Sequence, residues 1–310
     1  MVHLRVVAPA DKTDRVHGLL CATRSAINVI RVPGASTNPT GDLIMCDVAR
    51  EDASVIISEL RELGLHHEGS IALSATDIVS DFAVAAEKYA PGSPADAVIW
   101  EELDQRTSES VELSGVFLIY MVLASIIAAI GIFLNSPILV VGAMVVGPEF
   151  GPVAGLCVAL VQLRGPLARR SAVALAVGFP LAIAATVVAV LLFDAANVVP
   201  NSFSTDDHAL SKSISSPDAF AFIVALCAGA AGMLSLSTAK SGALIGVLIS
   251  VTTIPAAANI GIAAAYGDWD TFRGSAGQLA VNLGAILLVG TTTLYIQRLL
   301  YLRRKRLRHR

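Results

Sequence analysis

Charged residues are scarce in this chain of 310 residues: Asp, Glu, Lys and Arg together make up 15% of it, while 55% is hydrophobic. Soluble domains carry roughly 25% charged and 45–50% apolar residues, so this balance favours a membrane protein. The shortage is uneven. Residues 1–113 carry charges every few positions, whereas residues 114–302 contain long stretches without any. The net charge of −3 is therefore the sum of two unlike halves and does not indicate a partner.

Several other features are missing. The four cysteines show no Cys-x-x-Cys spacing, so we expect them to pack rather than to bind metal or form disulfides. The first residues lack the basic and apolar regions of a signal peptide, and none is expected. The charged part of the chain has no nucleophile motif, glycine-rich phosphate loop or metal cluster. We therefore expect neither a cofactor nor an enzyme, since a single membrane-embedded acid is too little for catalysis.

Long apolar runs dominate the remainder. A helix needs roughly 20 apolar residues to cross the hydrocarbon core of a bilayer. Six runs of about this length occur, at 115–134, 138–161, 172–193, 219–236, 242–265 and 279–300. The sequence therefore predicts an α-helical polytopic membrane domain of about six spans over residues 114–302, with the lipid bilayer as its surroundings.

The basic residues test this count, because Lys and Arg concentrate in short cytoplasmic loops. With six spans, the loop 162–170 with its three arginines, Lys240 and the basic tail 303–310 share one side. We expect both termini to be cytoplasmic, in the inner (plasma) membrane of a bacterial cell. The tail is interpreted as a topology anchor and not as a nucleic-acid site.

Residues 1–81 predict a small soluble domain. Strands are expected at 2–8, 26–32, 43–48 and 71–73, a helix capped by Asp11, a loop at 33–41 and a second helix at 51–63 that Gly64 terminates. This β-α-β-β-α-β order is typical of a ferredoxin-like fold, which serves in regulatory and in oligomerisation modules alike. Residues 82–113 form a linker with a juxtamembrane helix over 95–113, which either transmits a change to the membrane or is a passive connection.

Two of the six runs are interrupted by glycine and proline. The second contains Gly147, Pro148, Gly151 and Pro152, and the fifth contains Pro255 in a milder form of the same composition. Proline removes a backbone donor, and glycine lowers the cost of leaving helical geometry. As the middle spans of two three-helix halves, these segments are consistent with an inverted repeat that holds a midplane site. The alternative is close helix packing through small residues.

Glu149 is the only acidic residue placed within a predicted span. A charge there costs at least about 2.5 kcal/mol, so the residue should face protein or water, or take up a proton. Alternatively, the segment re-enters shallowly and Glu149 lies near a headgroup. The candidate solute or ion pathway comprises Asn135, Ser136, Gly142, Met144, Gly147, Pro148, Glu149, Gly151, Pro152, Ser250, Thr253, Pro255, Asn259 and Asn282, with Gln278 as a further polar group.

A family resemblance is carried by residues 135–152, which have an Asn-Ser start, a Gly-Ala-Met centre and a Pro-x-x-Gly-Pro end. This stretch resembles the signature of the bacterial membrane family called domain of unknown function 389. Later matches lie at Leu234–Ser237, Gly246–Pro255 and Asn282-Leu283, so the resemblance covers about 115–295. It implies a homo-oligomeric, transporter-like or channel-like protein. An apolar residue is usual where Glu149 stands, and a second proline where Ala256 stands.

Together these patterns favour an integral membrane protein that moves a small solute or ion and carries a cytoplasmic regulatory or oligomerisation domain. The alternative is a membrane-anchored sensor or scaffold without transport activity. A scaffold has no need of broken helices, which favours transport.

Overall fold

The computed structural model describes residues 1–76, 81–90, 97–199, 208–216, 218–238, 246–247 and 252–308. Contacts divide the chain mainly into two units, Met1–Leu103 and Asp104–Leu307. We call the first the N-terminal unit and the second the membrane unit.

The N-terminal unit is built on a four-stranded antiparallel sheet. Its elements are β1 (Val2–Ala8), α1 (Ala10–Ala22), β2 (Ala26–Thr37), β3 (Thr40–Val48), α2 (Arg50–Glu62), α3 (Leu65–Glu68), β4 (Ser70–Ala75) and α4 (Asp81–Glu87). The strand order is β2-β3-β1-β4. In the register, Val2 lies opposite Val48 on one side and Ala75 on the other.

The core of this unit follows from the sequence periodicity. Leu4 and Val6 alternate on one face of β1, and Val16 and Leu20 lie one turn apart on α1; all four are fully buried. Burying each such side chain contributes about 1.5–3 kcal/mol. The helix α2 ends just before Gly64, whose φ of +79° is left-handed, which confirms Gly64 as its terminator.

The loop expected at 33–41 is wrong. Strand β2 continues to Thr37 and β3 begins at Thr40, so most of the segment belongs to a hairpin. The pairing register shifts between Val32 and Ser36, and this irregularity accommodates Pro33 and Gly34. Asp11 is likewise not the cap of α1 but lies in its first turn, and the short α3 was not expected.

The membrane unit is entirely helical in its described residues. After α5 (Trp100–Ser110), which enters it from the N-terminal unit, come α6 (Gly115–Phe133), α7 (Pro137–Val146), α8 (Phe150–Gln162), α9 (Gly165–Ala195), α10 (Ala209–Ile214), α11 (Ala219–Ser237), α12 (Thr253–Tyr266) and α13 (Trp269–Arg308). A shared core joins α6, α7, α9 and α12 around Met121, Ala128, Ile132 and Ile254.

Among these, α6, α9, α11 and α13 are each long and apolar enough to cross a membrane. The pair α7 and α8 makes a fifth candidate if it is counted as one span, bent by 50°. The predicted fifth run at 242–265 lies partly outside the described residues. Its described part is the 14-residue α12, which is apolar but shorter than the others.

The four long helices bury only 28–44% of their apolar windows inside the protein. Large apolar side chains such as Leu192, Phe220 and Leu288 face outward with more than half of their surface exposed. Such surfaces are unfavourable in water and suited to lipid. The chain is therefore a multi-pass α-helical membrane protein with an N-terminal antiparallel sheet domain.

Two elements exceed their predicted lengths. The helix α9 has 31 residues and contains Pro180 without ending there, and α13 has 40 residues. Two of the four cysteines, Cys46 and Cys157, are buried as expected, whereas Cys21 and Cys227 are exposed, so packing does not account for those two.

Candidate functional site

The predicted second run breaks at Gly147 and Pro148, between α7 and α8, as predicted. Gly147 makes the last backbone hydrogen bond of α7, to Ala143, and then turns to φ −64°, ψ 128°. A residue that precedes proline is disfavoured in the helical region, so Pro148 imposes the extended conformation on Gly147. Pro152 falls in the first turn of α8, where helix donors lack partners in any case. The local sequence thus produces the break without any tertiary contact.

Glu149 lies between the two half-helices and is buried, with 5% of its surface exposed. Its Oε1 accepts a hydrogen bond of 2.7 Å from the hydroxyl of Thr253, at the start of α12. Its Oε2 has no hydrogen-bond partner among the described residues and lies against Gly147. The break therefore contains a buried carboxyl group with a hydrogen-bond donor for only one of its two oxygens among the described residues.

A second polar cluster continues beside this pair. The amide nitrogen of Asn282 donates to the hydroxyl of Thr252, at 2.8 Å, and Gln278 donates to Oδ1 of Asn282, at 3.0 Å. Thr252 immediately precedes Thr253 in the chain, so the carboxyl of Glu149 and the amides of α13 meet at the start of α12. Oε1 of Gln278 is buried and has no partner in the described part of the chain.

A third cluster surrounds Asn259, which is completely buried. Its amide nitrogen donates to the hydroxyl of Ser275, at 2.9 Å, and its Oδ1 accepts from the hydroxyl of Ser211, at 2.7 Å. Ser275, Gln278 and Asn282 recur at helical spacing and therefore share one buried face of α13. This face forms a polar stripe through an otherwise apolar unit.

A cavity of about 400 Å³ adjoins the break on its other side. Gly147, Pro148 and Gly151 form part of its wall, and the segment after α5 contributes Glu112. Arg106 and Glu109 of α5 also line it, so its polar groups carry both signs of charge. Most of the remaining lining is apolar, including Val116, Phe117 and Phe150, so the cavity brings a few charged side chains to an otherwise apolar space beside the break.

The predicted pathway residues divide into four groups. The break, Thr253, Asn259 and Asn282 lie in the polar clusters or beside the cavity. Asn135 and Gly142 are exposed; Asn135 instead accepts a hydrogen bond from the backbone of Leu210. Ser250 lies outside the described residues. The others occupy structural positions: Ser136 precedes α7, Met144 belongs to the core, and Pro152 and Pro255 lie in first turns of α8 and α12.

Three participants were not among the predicted pathway residues: Ser211, Thr252 and Ser275. The spacing of Ser275 with Gln278 and Asn282 is a signal that a helical-wheel reading detects. Ser211 belongs to α10, between the predicted runs 172–193 and 219–236, and no pattern points to it.

Comparison with known proteins places the break within a recognised domain. Residues 144–288 match the family "Domain of unknown function (DUF389)", which confirms the family resemblance over that range. An uncharacterized protein of Methanocaldococcus jannaschii is 26% identical over 259 residues, or 81% of this chain and 77% of that protein. This relative is archaeal, so similar chains occur outside bacteria. No solved structure matches the chain.

Proposed function

We propose that this protein is a transporter-like or channel-like integral membrane protein that moves a small solute or ion past the break at Gly147–Glu149. The observation that carries the proposal is the buried Glu149 carboxyl, held by Thr253 and placed where two half-helices part. A buried ionisable group in a membrane domain is expensive, and such groups mark ion or solute paths. The adjoining cavity and the polar stripe of α13 support a route on either side of it.

The wider architecture belongs to the same proposal. We propose six spans arranged as two inverted halves, with both termini in the cytoplasm of the inner membrane and the chain assembled as a homo-oligomer. The arginines at 164, 169 and 170 and the basic tail support this orientation. The strand order β2-β3-β1-β4 and the helices after β1 and β3 support a ferredoxin-like N-terminal domain, which we propose to be regulatory.

The experiment is flux through purified full-length protein in liposomes under proton, sodium and potassium gradients. We expect Glu149→Gln to lower a proton or cation flux by at least about tenfold, because it removes the charge while keeping the shape of the side chain. The matched control is Asp194→Asn, which neutralises an exposed acid near the end of α9 and should leave flux unchanged.

Two results would contradict the proposal. Equal flux through wild type and Glu149→Gln would remove Glu149 from the mechanism. The absence of flux under every gradient would instead favour a membrane-anchored sensor or scaffold.

A further inference from the structure

A second cavity of about 470 Å³ lies in the membrane unit. It is formed where the segment after α5 meets the beginning of α9. Its charged lining consists of Arg169 and Arg170 from α9 and Glu112 from the connecting segment. Its apolar lining includes Leu113 and Val173. Arg169 and Arg170 do not line the cavity beside the break, and the two cavities share Glu112.

Neither arginine is neutralised by the protein. Within the described residues, Arg169 and Arg170 form no ion pair and no side-chain hydrogen bond, whereas the nearby Arg164 is paired with Asp104. Both side chains are exposed. Two adjacent guanidinium groups that line a cavity and are not bonded to its one carboxylate have the charge and the forked donor geometry to bind phosphate oxygens.

The charge of the cavity distinguishes kinds of phosphate. Glu112 contributes one negative charge, so the two arginines leave the lining with a net charge of +1. A phosphodiester carries a single negative charge, whereas a phosphate monoester is largely a dianion near neutral pH. The lining is therefore better matched to a phosphodiester.

The apolar side of the cavity continues along the helix. Val173, Val177 and Leu181 follow Arg169 at intervals of four residues, so all four side chains lie on one face of α9. The three apolar residues are each 39–42% exposed. From Val173 to Leu181 the helix rises about 12 Å, which is comparable to the hydrocarbon thickness of one leaflet, about 15 Å. A ligand bound to the arginines thus has an apolar surface beside it for chains of that length.

The length of α9 is consistent with a position of these arginines in the headgroup layer of a bilayer. Its 31 residues extend about 46 Å, compared with about 30 Å for the hydrocarbon core. A helix of this length that crosses the bilayer and is centred on the core would extend past it at both ends. In that placement Arg169 and Arg170, near its beginning, would lie in a headgroup layer.

We propose that Arg169, Arg170 and the cavity between α9 and the segment after α5 form a binding site for one anionic phospholipid, with its phosphodiester on the two guanidinium groups and its acyl chains along Val173, Val177 and Leu181.

The test uses the full chain, purified in detergent and titrated with phosphatidylglycerol, with bound lipid counted by native mass spectrometry. We expect Arg169→Gln/Arg170→Gln to weaken binding of the tightest phosphatidylglycerol by roughly tenfold or more, since two basic contacts are lost. The matched control, Arg303→Gln/Arg306→Gln, removes the same charge from exposed positions of α13 outside this cavity and should change that affinity less than about twofold. Arg169→Lys/Arg170→Lys should restore part of the binding.

Two further ligands complete the test. Phosphatidylcholine and glycerol phosphate should each bind at least about tenfold more weakly than phosphatidylglycerol, the first for lack of net charge and the second for lack of chains. Equal binding of either ligand, or equal losses in the cavity and tail variants, would overturn the proposal. If the glutamine variant loses its helical circular dichroism, the lysine variant and the two comparison ligands on wild type still decide the outcome.

Discussion

The hydroxyl of Thr253 donates a 2.7 Å hydrogen bond to Oε1 of Glu149, joining the break in the second span to the beginning of α12, 104 positions later. Both residues are buried. Glu149 has few other polar contacts in the described part of the chain, since its Oε2 has no partner there. The hydrogen bond therefore holds the Glu149 carboxyl, whose burial is unfavourable, at a place where the backbone is already irregular.

Replacing Thr253 by valine should destabilise the membrane unit by about 1–3 kcal/mol, because the carboxyl of Glu149 would lose its donor while staying buried. Valine keeps the branched shape, so packing changes little. The measurement is thermal unfolding of the purified full chain in detergent. The control is Thr292→Val on α13, where the exposed hydroxyl bonds only to the carbonyl of Leu288 in its own helix. Equal shifts in the two variants would contradict the interpretation.

Gly147 and Gly142, five residues apart in the sequence, provide a test substitution and its control. A Cβ atom on Gly147 would overlap Oε2 of Glu149 and lie 2.6 Å from Cγ1 of Ile254. Gly147→Ala should therefore cost about 1–3 kcal/mol through overpacking. At Gly142, within α7, nothing lies within 4 Å of an added Cβ. Gly142→Ala should be neutral or stabilising by up to about 1 kcal/mol, because alanine is the better helix former.

Both variants are measured by the melting temperature of the full chain and by the fraction that remains monodisperse after heating. A harmless alanine at Gly147 would mean that the break is not tightly packed around the carboxyl of Glu149.

The break itself could be predicted because its cause is local. Pro148 restricts the residue before it and lacks a donor, whatever surrounds it. The partner of Glu149 could not be predicted in this way, because the packing of α12 against α7 decides it and no spacing in the sequence encodes that contact. Thr253 belongs to the candidate pathway only because of the composition of the predicted fifth run, and not because a contact with Glu149 is expected.

The errors have physical causes as well. Gly142 shares the composition of the break, but it lies one and a half turns earlier on an outward face of α7, and composition does not distinguish the two positions. Pro33 and Gly34 predict a loop by local chemistry, yet pairing of β2 with β3 continues past them through a register shift. In the second case strand pairing overrides a local preference.

Glu51 gives the N-terminal unit a dependence on pH. Its side chain is 7% exposed, and neither carboxylate oxygen has a hydrogen-bond partner among the described residues. Burial raises the pKa of this carboxyl above its usual value of 4.5, and the charges of Glu87 and Asp52 act in the same direction. The backbone N–H of Glu51 itself and the N-terminal ammonium oppose this shift without cancelling it.

Because the pKa of Glu51 is higher in the folded state, the folded protein keeps this proton at pH values at which the unfolded chain has already released it. The resulting penalty is absent below about pH 4.5, grows as pH rises towards the folded pKa and is constant above it. Glu51→Gln should therefore stabilise α2 at pH 7 and lose this advantage near pH 4. Hydrogen exchange of α2 peptides in the full chain, at both pH values, measures the difference. An advantage that is the same at both pH values would exclude the ionisation of Glu51 as its cause.

The segment after α5 packs closely on the second half of the broken span. A Cβ on Gly155 of α8 would overlap Cγ2 of Val111 and lie 2.8 Å from the hydroxyl of Ser171. Gly155→Ala should therefore cost about 1–3 kcal/mol, whereas Gly284→Ala on α13, with nothing within 4 Å of its new Cβ, should be tolerated.

Val111→Ala removes the clashing methyl group, because the remaining Cβ of Val111 lies 3.6 Å from the new atom. The double variant should consequently be more stable than the sum of the two single changes predicts, with a coupling energy of at least about 0.5 kcal/mol measured from the unfolding of all four proteins. Additive effects would mean that the segment after α5 does not rest on α8. In that case a movement of the segment could not reach the break through Gly155.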